Sequence, residues 1–64
     1  MYYHNFTFTD TDSDITYEIE VTGNTDEHDF YVQLYDNNAF LVETTTFSRM
    51  PTEKDILTTF GFEG

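Results

Sequence analysis

Asp10, Asp12 and Asp14 occupy alternate positions in the run DTDSD. That is the spacing with which the opening carboxylates of a calcium-binding loop between two helices reach a hard cation. The sixth position of such a loop requires glycine and the twelfth a bidentate glutamate. Here they are Ile15 and Val21, and the flanks alternate like strands. The run therefore reads as a solvated hairpin turn, with acidic contacts to a protein partner or a weak cation site as alternatives. His4 and His28 are the only imidazoles and there is no cysteine to complete a metal set with them, so both are expected to be ordinary surface or edge histidines. Ser13 and Ser48 have no recognisable nucleophile context. Glu18 and Glu20 could share acid and base work only inside a cleft, and alternate positions on a solvent face leave both in water. Gly23, Gly61 and Gly64 form no phosphate-cradling loop. Neither catalysis nor a bound metal or cofactor is expected.

The elements that would position these side chains follow from periodicity. Tyr2 to Thr9 alternates, with His4, Phe6 and Phe8 opposed to Tyr3, Asn5, Thr7 and Thr9, the pattern of a half-buried strand. Asp10 to Asp14 is turn chemistry. Ile15 to Thr22 alternates most cleanly, with Ile15, Tyr17, Ile19 and Val21 opposed to Thr16, Glu18, Glu20 and Thr22. Gly23 to His28 is a polar connection, and Asp29 to Tyr35 resumes a strand with Phe30, Val32 and Leu34 on one face. Asp36, Asn37 and Asn38 supply a second turn. Ala39 to Phe47 is expected as strand four, with Phe40 and Val42 opposed to Leu41 and Glu43.

Pro51 cannot continue a central strand, and Thr52 followed by Asp55 reads as a helix N-cap with an acid in the first turn. Ile56, Leu57 and Phe60 make one apolar stripe, Gly61 stands where a left-handed cap would fall, and Phe62 offers a last apolar contact. A helix of about eight residues is too short to persist alone and must dock. The expected fold is α+β, a four-stranded antiparallel sheet of two hairpins with one short C-terminal helix packed on it, residues 1–64 forming a single compact domain. Strand order is left open.

Charge bounds the function. Thirteen Asp and Glu against two Lys and Arg give a formal net charge of −11 over 64 residues. This balance excludes a grip on nucleic-acid phosphates or on an anionic membrane, both of which require clustered cations. Seven Phe and five Tyr argue against a disordered acidic segment. No basic leader or long apolar run is legible, so a soluble cytoplasmic protein is expected. An ordinary small domain carries a net charge of magnitude about 2 to 8, because unbalanced charge repels itself. The excess therefore suggests a use. Carboxylates at alternate strand positions, such as Glu18 and Glu20, stand about 6.7 Å apart in a regular anionic row. Such rows, held rigidly, suit the basic groove of a nucleic-acid-binding protein, where they displace counterions as phosphates do.

In size, charge and scarcity of Lys and Arg, the whole chain resembles the small acidic phage-encoded inhibitors that include DNA-mimicking anti-CRISPR proteins, uracil-DNA glycosylase inhibitors and restriction inhibitors. That class has many unrelated folds. The resemblance implies stoichiometric, cofactor-free and non-enzymatic binding, in the host cytoplasm, to a basic nucleic-acid-binding protein such as a nuclease, CRISPR effector or repair enzyme, by a monomer or homodimer that touches neither nucleic acid nor membrane. The charge pattern itself nominates Asp10, Asp12, Asp14, Glu18, Glu20, Asp26, Glu27, Asp29, Asp36 and Glu43 as partner-binding residues. Tyr31 and Tyr35 join them as interface anchors, or else cover a sheet face that one helix leaves bare; Tyr2 and Tyr3 are further rim candidates. The alternative function is a small acidic adaptor or structural interaction module without mimicry.

Overall fold

A sheet with a single helix to cover it needs one strongly apolar face, and the alternation in the first three strands supplies it. The computed structural model describes residues 2–24 and 29–62, with Asn24 described by its backbone alone. Four antiparallel strands, β1 (Tyr2–Asp10), β2 (Ile15–Asn24), β3 (Asp29–Tyr35) and β4 (Leu41–Phe47), lie side by side in chain order, and helix α1 (Glu53–Thr59) follows. The α+β expectation holds, and the undetermined strand order proves to be a simple meander. Ile19, Val21, Val32 and Leu34 are buried with Ile56 of α1, and Tyr2, Phe6, Phe8, Tyr17, Phe47, Leu57, Phe60 and Phe62 pack around them. Among the described residues, no helix is long and apolar enough to cross a membrane.

Local chemistry explains the helix ends. Thr52 Oγ1 accepts from Asp55 N at 3.1 Å while the Asp55 carboxylate accepts from Thr52 N at 3.0 Å, a reciprocal capping box. At the other end, Gly61 N donates to the Thr58 carbonyl and Phe62 N to the Leu57 carbonyl, with Gly61 at φ 87°. That double bond pattern is a Schellman cap, and left-handed backbone favours glycine there. The cap aims Phe62 back onto the sheet, its ring 5.0 Å from Phe8 and 4.9 Å from Tyr17. At the opposite end of the sheet, Gly23 lies across from Phe30. A Cβ there would strike the Phe30 ring and stand 2.9 Å from the Asp29 carbonyl, so Gly23 makes room for a ring that also meets Tyr2 edge-on at 5.8 Å. Tyr2 is thus part of the packed face, not the rim anchor expected from sequence.

Two expected boundaries shift. β2 continues through Asn24 rather than stopping at Thr22. β4 begins at Leu41 rather than Ala39, and its alternation fails: Leu34 pairs with Glu43 but Tyr35 with Leu41, which leaves Val42 as the extra residue of a β-bulge. Phe40, Leu41, Val42 and Glu43 are all exposed instead of alternating. The cause is reach. The helix starts above β1, where Glu53 meets His4, its C-terminal cap ends over Phe8 and Tyr17, and Ile56 packs on Ile19, Val21, Val32 and Leu34, so it covers β1 to β3 and leaves the beginning of β4 without a layer to bury against.

Candidate interaction surface

In an antiparallel meander the first and third connections fall at the same end of the sheet, so the fold brings together two turns that are distant in sequence. The β1–β2 turn holds Asp10, Asp12 and Asp14; the β3–β4 loop begins at Asp36. Glu18, opposite both Thr7 and Tyr35, reaches toward the same end. Thr7, Thr16, Tyr17, Glu18, Asp36, Asn37 and Ala39 line one open depression of about 280 Å³ there.

Both turns are tied down by their first residue. The Asp10 carboxylate accepts from Asp12 N at 3.2 Å and from the Ser13 hydroxyl at 3.0 Å, and Asp14, at φ 60°, donates its N–H to the Asp10 carbonyl at 2.7 Å. Asp tolerates left-handed backbone better than most residues. In the second turn Asp36 Oδ1 accepts from Asn38 N at 2.8 Å and Phe40 N at 3.0 Å. Its backbone N–H donates to the Phe40 carbonyl at 3.0 Å and its carbonyl accepts from Ala39 N at 3.0 Å. One residue therefore holds both backbone groups of Phe40, with Ala39 at φ 65° between them. Asp10 and Asp36 are structural as well as charged.

The sheet face away from the helix carries Glu18 and Glu20 with Tyr3, Tyr31 and Tyr35. Glu20 lies between Asn5 and Gln33 and Glu18 between Thr7 and Tyr35, so neither carboxylate has a cationic cross-strand neighbour. Tyr3 Oη donates to Glu20 Oε1 at 3.5 Å, Asn5 Nδ2 donates to Tyr3 Oη at 3.3 Å, and Tyr35 Oη donates to Gln33 Oε1 at 3.3 Å. Tyr31, between Thr22 and Thr46, is 54% exposed. Tyr31 and Tyr35 thus lie on the uncovered face.

Among the described residues, Glu43 and Asp29 lie outside these two turns. Glu43 stands on edge strand β4 opposite Leu34, facing the helix side, and Asp29 pairs with Asn24 at the far end. Asp26 and Glu27, like His28, lie outside the described residues. His4 Nε2 lies 3.1 Å from Glu53 Oε2, with both side chains exposed. Asp55 has its carboxyl pulled below the usual range, first by the hydrogen bond from the Thr52 backbone and then by that of the Thr52 side chain. Among the described residues, no three His or carboxylate side chains are grouped to hold a metal ion. Arg49 follows the far end of β4 and Lys54 lies in the first turn of α1, so the chain's two strong cations sit away from the two acidic turns.

Phe40, Leu41 and Val42, which were not among the expected partner-binding residues, are 68%, 54% and 53% exposed. The available signal was an apolar run without alternation directly after a turn, a pattern that fits a strand only if both its faces are covered. No family model, curated protein or solved structure matches the chain.

Proposed function

We propose that this protein is a non-enzymatic acidic inhibitor that occupies the basic nucleic-acid-binding groove of a partner protein, imitating a polyanion and excluding the true ligand. An anti-defence role of phage origin, as in anti-CRISPR proteins, is the setting that fits best. One observation carries the reading: Asp10, Asp12, Asp14, Glu18 and Asp36 gather at one end of a hydrogen-bonded sheet while Arg49 and Lys54 lie toward the other. Two of these carboxylates are fixed by their own turns, which lowers the ordering cost of presenting charge to a partner. Glu18 and Glu20 extend the array along the open face.

The test is capture on immobilised protein from a lysate of a presumed host, followed by elution with duplex DNA or RNA at constant ionic strength. Nucleic-acid-binding proteins should be released by the oligonucleotide and not by its equivalent of simple salt. Reversal of Glu18 and Glu20 to Lys should weaken capture at least tenfold, about 1.4 kcal/mol, and leave the fold intact, because both stand on the uncovered face between neutral neighbours. Captured proteins that nucleic acid does not displace would favour the second reading, a small acidic adaptor, which draws support from the exposed Phe40, Leu41 and Val42.

A further inference from the structure

We infer that the β3–β4 loop and the bulged start of β4 form an apolar docking knuckle, in which Phe40, Leu41 and Val42 seat in a hollow of a basic protein while Asp36, Glu18 and Glu43 meet cations around its rim. The inference rests on the reading that the protein acts by binding a basic partner, and it assigns the anchor of that contact. Phe40 is 68% exposed, yet its backbone N–H and carbonyl are both bound by Asp36. Holding Ala39 at φ 65° in the same loop has a steric cost for a residue with a Cβ. A rigid loop that spends strain to hold an aromatic ring in water is prepared for contact, since little further order is lost on binding.

Charge selects the occupant. Asp36 precedes the apolar run and Glu43 follows it, while Glu18 shares a depression with Asp36 and Ala39. Apolar side chains flanked by carboxylates suit an apolar hollow flanked by Lys and Arg, as hot spots commonly sit inside a polar rim. A second copy is disfavoured because each chain carries −11 and would set like charges face to face. An added partner strand is disfavoured too, because the bulge at Val42 breaks the regular edge that strand pairing needs. Side chains, not the β4 backbone, make the contact.

Two peptides of equal positive charge test this by amide NMR titration: an amphipathic peptide of Leu and Lys, and oligolysine. The Leu and Lys peptide should shift the amides of Asn38 to Glu43 and bind about thirtyfold more tightly than oligolysine. Phe40→Ser should abolish that advantage while leaving oligolysine binding and the melting temperature unchanged. Equal affinity for both peptides, an advantage that survives Phe40→Ser, or shifts centred on Tyr3 and Tyr31 would each overturn the inference. So would shifts at residues 39–42 that depend on protein concentration alone, which would assign the knuckle to a second copy. Failure of nucleic acid to release a captured partner would remove the polyanion reading without touching this result, and loss of the peptide advantage would leave nucleic-acid competition intact.

Discussion

Asp55 shows how one carboxylate serves both folding and pH response. Its hydrogen bonds with Thr52 favour the ionised form, so its acidity is greater in the folded chain than in the unfolded one. A depressed folded value means that its stabilisation is fully present above the ordinary carboxylate pKa of about 3.9 and is lost as pH falls through the lower folded value. Asp55→Ala should therefore lower the melting temperature at neutral pH, and the gap to the parent protein should close in strong acid. A gap that stays constant across circular-dichroism melts down that range would contradict this account. Thr52→Ala removes the acceptor half of the box and should cost about 1 kcal/mol, a fall of roughly 4–8 °C. These features were legible in the sequence because caps are local: Thr52, Asp55 and Gly61 act within a few residues of one another. Asp36 was legible only as a turn former, since its hold on both backbone groups of Phe40 depends on the exact path of the loop.

At the level of elements, α1 is too short to form unaided, and Ile56, 1% exposed, is the side chain that joins it to Ile19, Val21, Val32 and Leu34. Ile56→Ala should cost about 2–5 kcal/mol through lost burial and the cavity left behind, a large share of the stability of so small a domain. Denaturant unfolding should show a lower midpoint with little change in slope; an unchanged midpoint would mean that the helix contributes no more than a lid. The first three strands could be read from alternation because each is packed on one face only. β4 could not, since Phe40, Leu41 and Val42 have the composition of a core strand and nothing in the sequence says how far a seven-residue helix reaches.

For the whole molecule, the governing facts are thinness and charge. The chain spans 37 × 24 × 15 Å with a radius of gyration of 11.7 Å, somewhat above the roughly 10.7 Å expected for a compact chain of its length. One helix on one side of a sheet leaves little interior, so repulsion among carboxylates is felt by the entire fold. Melting temperature should rise as sodium chloride is added from low concentration, through screening; a flat response would mean that the acids are too dispersed to repel one another. The total charge was plain from composition, but its polarity was not. Asp36 joins Asp10, Asp12 and Asp14 because the strands alternate in direction, which sets the first and third connections at one end, and run in chain order, which leaves one strand pairing between them. The bulged edge strand carries one more implication. From Phe40 to Phe47 the chain is aromatic, β-branched and free of proline, with Glu43 its only ionisable residue, the makeup of a segment that stacks into cross-β fibrils once nothing repels its neighbours. Near the isoelectric point of about 4.1 the net repulsion between copies vanishes, and thioflavin fluorescence rising there first, and sooner in Glu43→Gln, would mark the same strand as the point where the native protein gives way to amyloid.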